Sequence, residues 1–376
     1  MNSRVNLSEA GQLALWQQRH GEHYSQPSIE IDRAILRRQA RRFCRAMPRV
    51  EPHFAVKANP HPAVLATLAE EGVFFEIASK KELDTLLDMG ADSENIFYSN
   101  PIKSAQYIQY AAAKGVCWFV VDSVEEVEKI ADLVPQAKLY LRLHTSNKGS
   151  LIELSSKFGA FDEEADAIIE RATALGVDLC GVTFHVGSQC CNSDNWRIGI
   201  EAAIRCFEKM KNAGLTPELL DIGGGFPVAY EAPVATIEEI ATVINKALLG
   251  VDQSVRIIAE PGRYLVAEAG RFYCQVIGSC RREGRDWLYL DSGFYGGLLE
   301  LKEGLHYPIT SLSEGEPVPW VIAGPTCDSV DICSQSYPLP AGLKAGDFIM
   351  LNYVGAYSNA CACEFNGFPL PEVVML

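Results

Sequence analysis

A few short stretches of this chain carry side chains suited to one kind of chemistry. Lys57 closes the apolar run FAVK (54–57), and His185 and Ser188 lie in FHVGSQ (184–189). Gly223, Gly224 and Gly225 follow Leu-Asp-Ile, and Glu260 and Arg263 share EPGR (260–263). An amine in an apolar mouth loses affinity for its proton and becomes an imine-forming nucleophile. Glycines let backbone N–H groups approach phosphate oxygens, and an arginine beside them grips the same group in two places. A carboxylate facing a ring nitrogen keeps that nitrogen protonated and deepens an electron sink, while an imidazole can stack on the ring face. Together they match what a phosphorylated aromatic aldehyde requires. Singly, each has a plainer reading: a lysine extending from a strand end, a glycine turn, a glutamate opening a helix, a core histidine.

Their order along the chain adds the weight. Short apolar runs at 53–58, 74–79, 95–100, 117–123, 138–144, 179–187, 219–226 and 255–263 alternate with amphipathic stretches such as 80–90 and 163–176. Several of these stretches end in glycine, the usual helix stop. Such β–α alternation predicts a parallel sheet, and eight repeats predict an α/β fold closed into a (β/α)₈ barrel, with an open doubly wound sheet as the alternative. Active sites of such barrels lie at the C-terminal strand ends. Lys57 then ends strand one, Arg142 and His144 sit on strand five, and His185 ends strand six. The glycines follow strand seven and Arg263 follows strand eight, the recurring phosphate position of these barrels. Beyond about residue 265 the segments 272–282, 286–291, 317–323 and 347–354 are short and β-rich, which predicts a mainly antiparallel β-domain. The expected division is residues 1–27 as an N-terminal segment packing on the β-domain, 28–265 as barrel and 266–376 as β-domain.

Composition excludes several other classes. The chain has 376 residues, 48% of them hydrophobic, with a formal charge of −15. That charge argues against a nucleic-acid or anionic-membrane partner, since nothing offsets phosphate repulsion. No run approaches the roughly 20 apolar residues of a membrane span. The polar amino terminus lacks a basic and an apolar signal region, which points to a cytoplasmic protein. The 12 cysteines are scattered without C-x-x-C, and the seven histidines show no zinc spacing, so no metal site is expected.

The chain resembles the pyridoxal-phosphate decarboxylases of the alanine-racemase-like fold, a group that includes ornithine, lysine, diaminopimelate and carboxynorspermidine decarboxylases. The landmarks are FAVKANP (54–60), FEIASKKEL (75–83), YSNPIK (98–103), FHVGSQ, DIGGGFP (221–227), EPGRY (260–264), GPTCDS (324–329) and GAYSNACACEFNGF (355–368). SNPIK, GPTCDS and the FNGF ending are most similar to the ornithine decarboxylase branch. The resemblance implies that Lys57 holds pyridoxal phosphate covalently, His185 stacks on its ring and Glu260 pairs with the ring nitrogen. It gives the phosphate to Ser188, Gly223 to Gly225, Arg263 and Tyr357. It makes Cys327 the acid that returns a proton after carbon dioxide leaves, and places Asp328 and Tyr295 at the substrate. It also implies a homodimer in which Cys327 and Asp328 reach into the partner's site.

Two departures stand out. Glu76 occupies a position where the family usually has aspartate. In 291–308, ornithine decarboxylases carry a Tyr-Asp pair for the substrate's terminal amine, and an ungapped count places Glu303 and Gly304 there. Either Glu300 or Glu303 substitutes, or the pocket accepts something other than ornithine. The expected reaction is decarboxylation of a basic amino acid to a diamine, with a larger amino-acid conjugate as the alternative substrate. A racemase and a non-catalytic binding protein on the same fold are the rivals. The placed cysteine disfavours the first, and retention of Lys57, Arg263 and Cys327 disfavours the second.

Overall fold

The structure is a computed structural model in which residues 7–376 are described. Eight strands close into a parallel barrel. In chain order, one to eight, they are Glu51–Ala55, Phe74–Ile77, Ile96–Tyr98, Trp118–Val121, Lys138–Leu143, Asp178–Phe184, Leu219–Asp221 and Arg256–Ala259. Strand eight closes on strand one, with Ile258 opposite Glu51 and Ala259 opposite Pro52. The interior is filled by a cluster of Phe97, Trp118, Val120, Tyr140, Cys180, Leu219 and Ile258, drawn from strands three to eight. Each such side chain contributes about 1.5–3 kcal/mol on burial. Helices between the strands start on hydroxyl caps: Ser79, Ser104, Ser123 and Thr236 each accept an N–H three residues on.

Several strands stop short of their apolar runs, which moves the chemistry into the connections. The run 53–58 pairs only as far as Ala55, and Val56–Ala58 turn into a 3₁₀ helix. Strand seven ends at Asp221 rather than 226, because Gly223 adopts a left-handed φ of 65°. Val56 and Ile222 remain fully buried outside the ladders. The apolar signal therefore reported burial, not pairing.

The chain divides into two compact units. The barrel comprises Ala34–Val228 and Val234–Leu265, and the second unit comprises the described residues up to Arg33, Ala229–Pro233 and Val266–Leu376. The second unit holds an eight-stranded sheet. Its pairings are antiparallel except for Arg285–Leu290 with Pro317–Ala323 and Ser28–Ile31 with Glu372–Met375. Residues 28–31, assigned to the barrel on sequence, thus lie in this sheet. Ile29 and Ile31 are fully buried while Glu30 meets the Tyr273 hydroxyl at 3.0 Å. That alternation suits a sheet with two unlike faces, not a barrel strand apolar on both. The strand Ile332–Pro340 was not legible either; its polar, proline-bearing sequence suits its place at the sheet edge. Helix Glu9–His20 lays Leu13 and Trp16 on Tyr273, Phe348 and Met350. The Trp16 ring stacks on Tyr273 with centroids 4.3 Å apart.

Candidate active site

At the barrel mouth, Lys57 projects from the 3₁₀ turn that ends strand one. Its Nζ lies 2.6 Å from Glu76 Oε1, with the lysine side chain 45% exposed and the glutamate 1%. To the apolar mouth expected on sequence this adds a charged neighbour, a buried carboxylate. Burial pushes Glu76 up to about 7, opposed by the Lys57 charge. Glu76 is therefore poised to exchange a proton near neutrality.

The three glycines permit close backbone packing as well as flexibility. A Cβ on Gly223 would fall 2.2 Å from Phe184 O, and one on Gly225 2.2 Å from Gly187 O. A Cβ on Gly224 would fall 2.6 Å from Glu260 O and 3.2 Å from His185 Nε2. The run thus lets the ends of strands six, seven and eight converge. Asp221, the first residue of DIGGGFP, anchors it. Its Oδ1 accepts the Gly223 N–H at 2.8 Å and its Oδ2 accepts the Thr183 hydroxyl at 2.7 Å. Gly223 O in turn accepts the Glu260 N–H at 2.9 Å.

His185 Nδ1 accepts the Gly187 N–H at 3.0 Å, and burial holds its pKa well below the ordinary value. The ring is neutral, with its proton on Nε2. Burial first, and the Asp221 charge second, push Glu260 up to about 8. Its Oε1 is buried without a hydrogen-bond partner. Arg263, 3% exposed, donates from Nη2 to Ser188 Oγ at 3.1 Å. Arg142 donates to Leu154 O at 3.1 Å, and burial lowers its pKa against the charges of Glu260, Asp122, Asp221 and Glu76. His144 stacks on Phe161, with centroids 4.1 Å apart. Pyridoxal phosphate fits this arrangement. A buried carboxyl with one oxygen unbonded among the described residues suits a ring N–H, the glycines leave room beside His185, and Arg263 with Ser188 suits a phosphate.

The remaining sequence candidates lie in the second unit. Tyr295 Oη donates to Asp328 Oδ2 at 2.5 Å, and its ring stacks on Phe365 at 4.3 Å. That hydroxyl holds the Asp328 carboxyl below the usual range, so it stays ionised. Cys327 is exposed, and its N–H donates to Asn366 Oδ1 at 2.9 Å. Tyr357 adopts a left-handed φ of 54° after strand Phe348–Asn352. Glu303 is exposed at the end of the 3₁₀ turn Leu299–Glu303, and Gly304 caps that turn at φ 85°. Glu300 is instead buried, with the Tyr307 hydroxyl 3.5 Å from Oε2.

A parallel barrel with such a mouth belongs to the enzymes that use pyridoxal phosphate. Residues 33–267 match the family described as pyridoxal-dependent decarboxylase, pyridoxal binding domain. Ornithine decarboxylase of Mus musculus is 36% identical over 355 residues, covering 88% of this chain and 76% of that one. The solved structure of lysine/ornithine decarboxylase from Vibrio vulnificus, complexed with cadaverine, is similar with a TM-score of 0.90 at 35% identity, covering 98% and 99% of the two chains. The arginine decarboxylase of Paramecium bursaria Chlorella virus, bound to agmatine, gives 0.91 at 28% identity, covering 96% and 100%. The chain belongs to the pyridoxal-dependent decarboxylases.

The buried carboxyls make a testable statement about the cofactor-free protein. Glu76 and Glu260 have folded pKa values raised to about 7 and about 8. Groups raised in the folded state contribute stability below their unfolded pKa and lose it as pH rises through the folded value. His185 and His53, both held down by burial, act in the opposite sense, but only below their unfolded value of about 6.5. Between pH 6.5 and 8 the carboxyls therefore dominate, and the apoprotein should lose about 2 kcal/mol. Thermal melts across that range should show a falling apoprotein Tm and a flatter holoprotein curve. An apoprotein Tm that is flat or rising would contradict the assignment.

Proposed function

We propose that the protein decarboxylates a basic amino acid, L-ornithine or L-lysine, to the diamine and carbon dioxide, acting as a cytoplasmic homodimer. The observation that carries this is Asp328, an ionised carboxylate presented beside the exposed Cys327 and braced by Tyr295. The three relatives above are named for ornithine, lysine and arginine, all of them basic. Pyridoxal phosphate, when bound, supplies an aldehyde carbon for an amine and a protonated ring that accepts the electrons of the breaking carboxyl bond.

The chain's own groups do the rest. Lys57 would hold the cofactor through its amine, while Glu76 would take and return the lysine's proton. His185, neutral and fixed by Gly187, covers one ring face. Glu260 holds the ring-nitrogen proton. Ser188, Gly223 to Gly225, Arg263 and Tyr357 bind the phosphate. Cys327 returns a proton to the α-carbon, and Asp328 with Tyr295 receives the distal ammonium. Val330 and Phe365, 47% and 39% exposed beside this pair, support burial against a partner subunit.

A second reading, an N-substituted or conjugated amine, is favoured by one observation. Glu303 is exposed, Gly304 has no side chain and Glu300 is buried against Tyr307. A pocket with one carboxylate suits a nitrogen with fewer N–H donors. Both readings predict that Asp328→Ala raises KM for the cationic substrate about 10–100-fold, the worth of one charge-assisted hydrogen bond. Glu303→Ala should change KM by less than about threefold. Equal effects, or a larger effect at Glu303, would reject this assignment of the distal pocket.

A further inference from the structure

Asp331 lies four residues beyond Cys327 and is 2% exposed. Its Oδ1 accepts the Phe294 N–H at 2.8 Å. Its Oδ2 accepts the Thr326 hydroxyl at 2.7 Å and the Thr326 N–H at 3.3 Å. Its main chain adds two bonds: the N–H donates to Asp328 O at 3.0 Å, and the carbonyl accepts the Gly324 N–H at 2.9 Å. Two glycines make room for the carboxylate. A Cβ on Gly293 would fall 2.1 Å from Oδ1, and one on Gly324 2.3 Å from Oδ2.

Neither bonded segment is arbitrary. Phe294 precedes Tyr295, and Thr326 precedes Cys327 and Asp328. One buried carboxylate therefore ties the turn that carries the tyrosine to the loop that carries the thiol. The two segments meet again where the Tyr295 hydroxyl donates to Asp328. Cys327 itself is exposed and Asp328 only half-buried, so packing does little to hold their loop. Burying a carboxylate is costly unless donors surround it, and here three donors from two segments do so. Alternative ways to hold such a loop would place apolar side chains beneath it; this one uses directional bonds, which fix orientation as well as position.

We infer that Asp331 is a positioning residue, which fixes the Cys327 thiol and the Asp328 carboxylate against Tyr295 so that the proton returns to the substrate's α-carbon. This rests on the reading of Cys327 as proton donor. Proton return to the α-carbon releases the amine. Delivery at the wrong carbon releases, after water adds, an aldehyde, and the amino group stays with the cofactor. Misplacement by about 1 Å is enough to cost two orders of magnitude in a positioned step. The ratio of aldehyde to amine therefore reports placement of the thiol, which a loss of global stability alone would not alter.

The test uses the holoenzyme of wild type, Asp331→Ala, Asp331→Asn and Cys327→Ala. Hydrogen exchange read by mass spectrometry should show segments 293–296 and 324–329 exchanging about tenfold faster in Asp331→Ala, with Asp331→Asn between it and wild type. With the basic amino acid that wild type turns over fastest, Asp331→Ala should shift product from amine to aldehyde in the direction of Cys327→Ala, and Asp331→Asn should partly restore the amine. Unchanged exchange in either segment, or an unchanged product ratio while Cys327→Ala diverts it, would overturn the inference. If Cys327→Ala still yields only amine, the proton-donor reading fails and the positioning role falls with it, which the exchange data distinguish from a failed clamp. Should Asp331→Ala not fold, Thr326→Val removes one donor alone. It should move both readouts the same way by a smaller amount, and no movement in either would reject the proposal.

Discussion

Replacing Lys57 with alanine should abolish the visible absorbance of the cofactor-loaded protein at about 420 nm and lower turnover by about three orders of magnitude or more. Lys57 is set apart from other lysines by where its amine sits. It is nearly half exposed at the barrel mouth and faces a carboxylate that titrates near neutrality. Lys103, also in a landmark motif, makes the contrast. Its amine is buried 3.0 Å from Glu126 and donates to the Val120, Asn100 and Pro101 carbonyls, so it has no hydrogen to spare for chemistry. Borohydride reduction of the holoprotein should therefore fix the cofactor on the peptide that contains Lys57. A tag on Lys103, or on any other lysine, would remove the basis of the site.

Mixing two inactive variants should restore activity. If Cys327 and Asp328 of one subunit serve the partner's barrel, a heterodimer of Lys57→Ala with Cys327→Ala has one intact site and one doubly damaged site. Random exchange of equal amounts makes half the dimers mixed, so roughly a quarter of wild-type activity should return. Sites completed within one subunit would give no recovery, because each chain would carry its own defect. Sedimentation of the mixture under exchange conditions supplies the control. An active sample that sediments only as monomer would contradict the shared site.

The sequence made most of this arrangement legible where chemistry and periodicity agree. Eight apolar runs marked the barrel, and the residues at their ends marked the mouth. Legibility stopped where a residue acts through the backbone. Asp221 and Asp331 hold loops by accepting N–H groups; Asp221 stands in the landmark DIGGGFP, which shows no role for it, and nothing in the local sequence of Asp331 separates it from a surface aspartate. The strand Ser28–Ile31 was credited to the wrong unit because four residues show alternation but not a partner, and its partners are hundreds of residues away. Glu303 was a counted position. The turn Leu299–Glu303 sends it to solvent and turns Glu300 inward, a choice set by packing around Tyr307 that an ungapped count does not register.

The central claim, decarboxylation of a cationic amino acid, is tested most directly by presenting the holoprotein with a panel of L-amino acids and weighing the products. Ornithine, lysine, arginine, N-substituted ornithine, leucine and glutamate would suffice, with carbon dioxide and amine quantified together by mass. An ionised Asp328 braced by Tyr295 predicts that the best substrate carries a distal cation, and that each carbon dioxide is matched by one amine. A side chain without a distal cation forgoes that charge-assisted pairing, so leucine and glutamate should react at least about 100-fold more slowly. A best substrate with a neutral or acidic side chain, or substrate loss without carbon dioxide, would contradict the account.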